Sequence, residues 1–321
     1  MPEGIREALL VYNPRAGRTG AGFSARLDRA RAILARDGIA TEISPTDGPG
    51  AATDIARRAV ADRRQMVIAC GGDGTLNEIA NGLAGSSVPL ALLPAGTANV
   101  LAKELELPWD IEKAAALIAQ SRLRRIGLGL VSFRNQPRAD RYFLSVAGAG
   151  PDGAITYAVS GVLKARSGIF AYWAEGLRQL AVYKFPRFRA THAAASAPHQ
   201  SGAQQKDATL IVVGRTKHYG GPFRITTEAN LYGDDFELML CTTGSRARYL
   251  AYLPLLSLGL LRRARHAHFV RAASVLCEPL DETAVYVQVD GEPSGRLPAE
   301  FRVVPDALTL AAPELSQSGR T

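Results

Sequence analysis

Apolar and polar positions over residues 1–128 follow two alternating periods. The run EALLVYN (7–13) has the continuously apolar centre of a strand buried on both faces. An alanine- and arginine-rich stretch with helical spacing follows over 23–37 and ends at Gly38. The pairing repeats with strand 39–45 and helix 51–64, strand 65–70 and helix 75–85, and strand 89–96 before a helix from Ala98. Such alternation with short connections predicts a parallel sheet covered by helices on both faces. Ligands in such sheets bind beyond the carboxyl ends of the strands.

After about residue 128 the pattern changes. Short runs RYFLSVAG (141–148), ATLIVVG (208–214), FELMLCTTG (236–244), VYVQVDGE (285–292) and ALTLAAP (307–313) are separated by Gly, Pro and Asp. They predict a mostly antiparallel second domain. Two helices are expected within it, at 159–183 and 246–265, and a loose loop at 193–207 (AAASAPHQSGAQQKD). No internal repeat is found.

Composition narrows the picture. With 321 residues, 47% hydrophobic and 21% charged, the chain has material for two folded domains and is not a disordered polymer. Cysteines at 70, 241 and 277 are odd in number and far apart, which suits a reducing cytoplasm rather than a disulfide framework. MPEGIREALLVYNP lacks the pattern of a signal peptide. The longest nearly apolar run, YLAYLPLLSLGLL (249–261), is broken by Pro254 and falls short of the roughly 20 residues a spanning helix needs. A net charge of +8 favours anionic partners without choosing among nucleotides, nucleic acid and acidic lipid surfaces.

The sharpest local feature is ACGGDGTLNEIANG (69–82). A strand, a glycine-rich turn and a helix start together suit phosphate: glycines let the backbone approach, and N–H groups converge on the oxygens. Gly71, Gly72, Gly74 and Thr75 meet that demand. The plain alternative is a tight turn in which Asp73 or Thr75 caps the helix. A dinucleotide fingerprint fails, because Asn77 stands where its third glycine belongs, and a Walker A loop fails because the chain has no Gly-Lys pair. Asp73 would repel phosphate unless a cation such as Mg²⁺ lay between them, so the loop points to a metal-bound nucleoside triphosphate. LLPAGTANVLAKEL (92–105) and VYNPRAG (11–17) place Gly with Asn or Thr at two neighbouring strand ends. Three such ends favour one shared anion site over coincident capping.

In order along the chain, YNPRAG, GGDGTLNEIANGL, LPAGTANVLAKEL, SVAGAGPDGAI (145–155) and VQVDGEPSGRLPAEFRVVPDALTLAAP (287–313) resemble the diacylglycerol kinase catalytic-domain family. That family includes soluble bacterial diacylglycerol kinases, sphingosine and ceramide kinases. The resemblance implies a Rossmann-like N-terminal α/β nucleotide domain, similar to NAD kinases and phosphofructokinases, and a C-terminal β-sandwich carrying the lipid site. The implied domains are 1–128 with a returning strand at about 303–315, and 129–302, with ATP and substrate meeting between them. Carried over by motif, Asn13, Gly17, Thr46, Gly71, Gly72, Gly74, Thr75, Gly96, Thr97 and Asn99 bind ATP. Glu292 is the general base and Asp73 organises Mg²⁺ or phosphate, although in sphingosine-kinase relatives the loop acid is itself the proposed base. Asp152 is implied as a contact to the lipid head group.

Two departures stand out. Val100 occupies a position often acidic in the family. The structural metal that some members hold at an Asp-Asp-Gly loop would here fall to Asp234 and Asp235 in YGDDFE, which also reads as a solvated hairpin. HAH (266–268) has no acid or cysteine nearby in sequence to complete a metal site.

The expected activity is transfer of the ATP γ-phosphate, with Mg²⁺, to a lipid hydroxyl, with diacylglycerol as default and sphingoid base, ceramide or phosphatidylglycerol open. A soluble-acceptor kinase of the NAD-kinase sort and a non-catalytic nucleotide- or lipid-binding protein are the alternatives. VYKFPRFR (182–189) and LLRRARHAHF (260–269) mix basic with apolar residues and suit peripheral contact with an anionic membrane. The expected location is the cytoplasm, at the inner face of the membrane. No nucleic-acid motif accompanies these stretches, and a homodimer is left open.

Overall fold

The computed structural model describes residues 4–17, 22–136, 140–158, 176, 178, 181–194, 203–220 and 223–313. The chain divides into two units, Met1–Ile126 with Asp306–Thr321, and Gly127–Pro305.

The first unit contains β1 (Glu7–Tyr12), α1 (Phe23–Arg36), β2 (Ala40–Pro45), α2 (Ala51–Ala61), β3 (Val67–Gly71), α3 (Asp73–Leu83), β4 (Leu90–Pro94), α4 (Val100–Glu104) and α5 (Ile111–Ile118). β1 pairs in parallel with both β2 and β3, and β3 with β4. The chain thus moves to one side of β1 for β2, then returns past it for β3 and β4. That reversal lies between β1 and β3, where successive connections leave in opposite directions and a crevice opens at the strand ends. α1 packs with α5, and α2 with α3. Leu10, Ile68, Cys70 and Leu93 are buried with Phe23, Leu34 and Ile111, which is why the strands read as unbroken apolar runs. Instead of one helix from Ala98 there are two short ones. Pro108 cannot donate into a continuing helix, and Asp110 restarts the chain by accepting hydrogen bonds from the N–H groups of Glu112 (2.9 Å) and Lys113 (3.1 Å).

The second unit holds most of β5 (Arg122–Phe133), then β6 (Arg141–Phe143), β7 (Val146–Ala149), α6 (Pro151–Ala158), β8 (Phe188–Ala194), β9 (Gln204–Ala208), β10 (Leu210–Gly214), β11 (His218–Tyr219), β12 (Phe223–Arg224), β13 (Phe236–Cys241), α7 (Arg246–Ser257), β14 (Ala267–Pro279), β15 (Tyr286–Val289), β16 (Glu292–Arg296) and the first half of β17 (Ala299–Ala312). Antiparallel neighbours run in the order β16-β15-β7-β10-β13-β14. β14 pairs with β13 through its first half and with β8 and β17 through its second, with an irregularity between Ala272 and Val275. Such a bend lets one strand serve two layers of a sandwich. Val131, Phe143, Phe188, Phe236, Val275 and Phe301 are buried together between them. The second half of β17 belongs to the first unit, where Leu310 pairs in parallel with Leu90.

Two expectations change and one is not reached. The helix at 159–183 lies mostly outside the described residues. The loop at 193–207 yields strand at both described ends, since β8 and β9 pair with each other; β8 reaches into it only by its last two residues, and β9 (QQKDA) is an edge strand with no apolar alternation to mark it. The helix at 246–265 stops at Ser257, where Gly259 takes a left-handed φ of 68°, and β14 begins at Ala267.

The YGDDFE loop is organised by two arginines. Arg215 is fully buried, and its guanidinium donates to the carbonyls of Leu231 (2.7 Å), Gly233 (2.7 Å), Asp235 (2.9 Å) and Gly127 (3.0 Å). Burial lowers its pKa to about 10, opposed by the charges of Asp235 and Asp234. Arg271 grips the Asp235 carboxylate from Nε (2.8 Å) and Nη2 (2.5 Å). Asp234 and Asp235 therefore sit among fixed cations, and no group of three or more His, Cys, Asp or Glu side chains that could hold a metal forms among the described residues.

Candidate active site

Loops after β1, β3 and β4 meet at the reversal point of the parallel sheet. Gly71 ends β3 and Gly72 is the extended N-cap of α3, so the helix begins at Asp73, two residues before Thr75. Gly74 and Thr75 thereby fall in its first turn, whose N–H groups have no intrahelical acceptor. Asn13 donates from Nδ2 to the Thr75 hydroxyl (3.3 Å) and accepts the Arg15 N–H (2.8 Å), tying the first loop to the second. Gly17 lies against the Thr97 side chain, tying the first to the third. Thr46, just past β2, donates its N–H to the carbonyl of Tyr12 (2.9 Å).

Contact between the second and third loops is backbone on backbone. A Cβ on Gly96 would lie 2.3 Å from the Gly72 Cα, and one on Gly72 3.1 Å from the Gly96 Cα. Asn99 is buried in a left-handed conformation, and its amide clasps Gly96 on both sides at 2.9 Å. Asn99 therefore acts by shaping the loop. Gly96→Ala is expected to cost about 1–3 kcal/mol of unfolding free energy by overpacking. A fall in the urea midpoint with unchanged far-UV circular dichroism would show it; an unmoved midpoint would mean the loops are not locked here.

Asp73 accepts the Val100 N–H at 2.7 Å through Oδ1, so one of its oxygens fastens α4 to the start of α3. Lys103, one turn into α4, feels the Asp73 charge; burial holds its ammonium below the ordinary pKa and Asp73 partly opposes that. Sequence reasoning passed over Lys103, although it follows Asn99 at helical i,i+4 spacing.

In the second unit, Asp290 and Gly291 form the two-residue turn between β15 and β16, with φ of 47° and 80°. Two positive φ values are what the right-handed twist of a hairpin requires. The Asp-Gly signal thus marks a real turn, and Glu292 starts the strand leaving it, paired with Val289. The turn is held from below. Asp290 accepts the backbone N–H groups of Leu144 (2.9 Å), Ser145 (3.0 Å) and Val146 (3.0 Å).

A second anchor runs through Asp152. Its carboxyl is buried, accepts from the Tyr219 hydroxyl, and accepts from Gln288 Nε2 at 2.8 Å. Gln288 Oε1 in turn accepts the Gly291 N–H at 2.8 Å. Only a glycine leaves room at 148, where a Cβ would lie 2.3 Å from the Asp152 Oδ2. Burial raises the Asp152 pKa, and the bonds from Tyr219 and Gln288 pull it back. Asp152 is thus joined through Gln288 to the turn carrying Glu292, a link that no residue spacing announces.

Parts of both basic stretches are engaged within the protein. Tyr183, Phe185 and Phe188 are buried, while Arg187 and Arg189 pair with Asp207 (3.2 and 2.9 Å). Arg262 pairs with Glu237, which is buried, and with Glu228 (3.2 Å), and its guanidinium lies over Phe269. His266 contacts Arg248. The aromatics of 182–189 turn inward, Phe188 as the first residue of β8 and Tyr183 and Phe185 in the irregular chain before it, and a buried acid claimed the first arginine of 260–269.

A parallel sheet with glycine-locked strand ends and one acid among them, in a chain whose second unit bears a clamped acidic hairpin, is the equipment of a kinase. The family described as "Diacylglycerol kinase catalytic domain" matches residues 7–131, and "YegS C-terminal NAD kinase beta sandwich-like domain" matches 145–312. The chain belongs to the diacylglycerol kinase family. It is 28% identical over 298 residues to a diacylglycerol kinase of Staphylococcus saprophyticus, covering 92% of each chain. It is 29% identical over 300 residues to one of Bacillus subtilis, covering 92% of this chain and 93% of the other. A diacylglycerol kinase crystal structure from Bacillus anthracis shares the fold, with a TM-score of 0.75 at 21% identity and coverage of 98% and 99%.

Proposed function

We propose that this kinase transfers the γ-phosphate of ATP, with Mg²⁺, to the hydroxyl of a membrane lipid, with diacylglycerol as the first acceptor to test. The observation that carries the nucleotide half is the Gly72–Gly96 contact at the sheet's reversal point, backbone where a side chain would not fit. The lipid half rests on relatives named diacylglycerol kinase over nine-tenths of the chain.

The residues present fit the group they would hold. Glycine backbone and the first-turn N–H groups of α3 suit phosphate oxygens, and Asp73 supplies the hard oxygen ligand that Mg²⁺ prefers. When bound, ATP supplies the phosphoryl group and Mg²⁺ neutralises charge. Asn13, Gly17, Thr46, Gly71, Gly72, Gly74, Thr75, Gly96 and Thr97 line or shape that site, and Asn99 fixes the third loop. Lys103 adds a positive charge beside Asp73. Glu292 takes the proton of the attacking lipid hydroxyl. Asp152 works through Gln288, holding the turn that presents Glu292. The protein acts peripherally, at a membrane surface that contains its substrate.

The test is phosphoryl transfer from γ-labelled ATP and Mg²⁺ to a panel of lipids in mixed micelles, with NAD as soluble control. Label on one lipid, lost in Asp73→Asn, is the expected result. Label on NAD alone would make the acceptor soluble, and no transfer with intact ATP binding would leave a binding protein.

A further inference from the structure

After its first turn helix α7 is almost wholly apolar (YLAYLPLL, 249–256), yet Tyr249 is its one buried residue. A helix with no polar face is ordinarily enclosed by protein or lipid. Here the outward positions are apolar. Leu250 is 46% exposed and Leu258, just past the helix, 70%; Ala247, Ala251 and Pro254 are also exposed, at the i, i+4 and i+7 spacing that makes one stripe. The inward side carries the hydroxyls of Tyr249 and Tyr252, which bond to Thr209 (3.1 Å) and to the Arg265 carbonyl (2.5 Å).

Charge frames the stripe. No Asp or Glu occurs between Glu237 and Glu278, a stretch with six arginines. Arg246 and Arg248 stand in the first turn of α7, where cations oppose the helix dipole, so helix stability does not explain them. Arg263 and Arg265 follow its other end. Arg246, Arg263 and Arg265 are exposed and make no ion pair with a described residue, unlike Arg262.

From this arrangement we infer that α7 is the membrane-docking element. It lies in the plane of an anionic phospholipid leaflet, with Leu250, Pro254 and Leu258 at the acyl boundary and arginines at lipid phosphates. A second copy fits poorly, because a two-fold contact along the stripe would bring Arg246 against the partner's arginines. The inference deepens the lipid-kinase reading by naming the surface through which the substrate is reached.

The experiment compares the full chain with Leu250→Asn/Leu258→Asn and Arg263→Gln/Arg265→Gln. Each is co-sedimented with phosphatidylcholine vesicles, with and without an equal part of phosphatidylglycerol. Wild type should prefer the anionic vesicles, and each pair should weaken that binding about tenfold or more, the arginine pair chiefly at low salt. Turnover is measured in parallel on those vesicles and on a short-chain diacylglycerol dispersed as monomers. Docking through α7 predicts losses on vesicles with monomer turnover and melting temperature kept. Vesicle binding indifferent to both pairs would overturn it, as would a dimer in sedimentation velocity that the leucine pair dissolves. Vesicle binding lost in the variants with no turnover on any lipid would keep the docking element and reject the lipid kinase.

Discussion

Glu292→Gln is expected to lower kcat by about 10²–10⁴-fold, the usual contribution of a positioned general base. At 1.36 kcal/mol per tenfold this amounts to roughly 3–5 kcal/mol of barrier. The side chain keeps its size, and the residue holds its place through the backbone pairing with Val289 and the turn below it. Stability and ATP affinity should therefore stay near wild type. Initial rates at saturating lipid, with calorimetric titration of ATP, separate the two effects. A kcat within a factor of about three of wild type would move the base elsewhere, and Asp73→Asn would then be the variant that must lose the chemistry.

Asp290→Asn should fail in the opposite way, through the fold. The carboxylate faces three backbone N–H groups and accepts all of them. An asparagine offers one acceptor oxygen, so in either orientation its NH₂ points at one or more of those donors. Stranding part-buried donors costs about 1–3 kcal/mol each. A loss of about 2–4 kcal/mol should lower the melting temperature by roughly 5–10 °C in a unit of this size. Activity should fall as well, because the turn presents Glu292. A melting temperature unchanged from wild type would mean the turn is held by Gln288 and the backbone bonds around it without the carboxylate. Together the variants distinguish a residue that does chemistry from one that places it.

The parallel sheet was legible because β1, β3 and β4 are buried on both faces and leave unbroken apolar runs, while β2 (ATEISP), half exposed, showed itself through its place in the strand–helix alternation. Its three glycine-bearing strand ends were legible for a related reason, since local chain geometry demands Gly, Asn and Thr there. β14 was not: AHFVRAASVLCEP serves two layers and bends between them, so neither period persists along it. Asp152 could be picked out by resemblance, but its bond to Gln288 spans 136 residues, and no local pattern reports a partner so distant. Arg262 shows the same limit, because a basic cluster reads as solvated until the fold brings buried Glu237 beneath its first member.

The return of β17 to the first unit has a consequence for how the protein is made. β4, LALLP, is wholly buried in the finished molecule, and its partner on one side is Leu310, near the far end of the sequence. A ribosome releases β1 to β4 and their helices long before that partner exists. Until then an apolar strand edge stands open, a template for any other extended chain. Nascent chains of this protein therefore need shielding from the time β4 emerges until the second half of β17 is made, and a stop shortly before residue 306 would leave a product that cannot close.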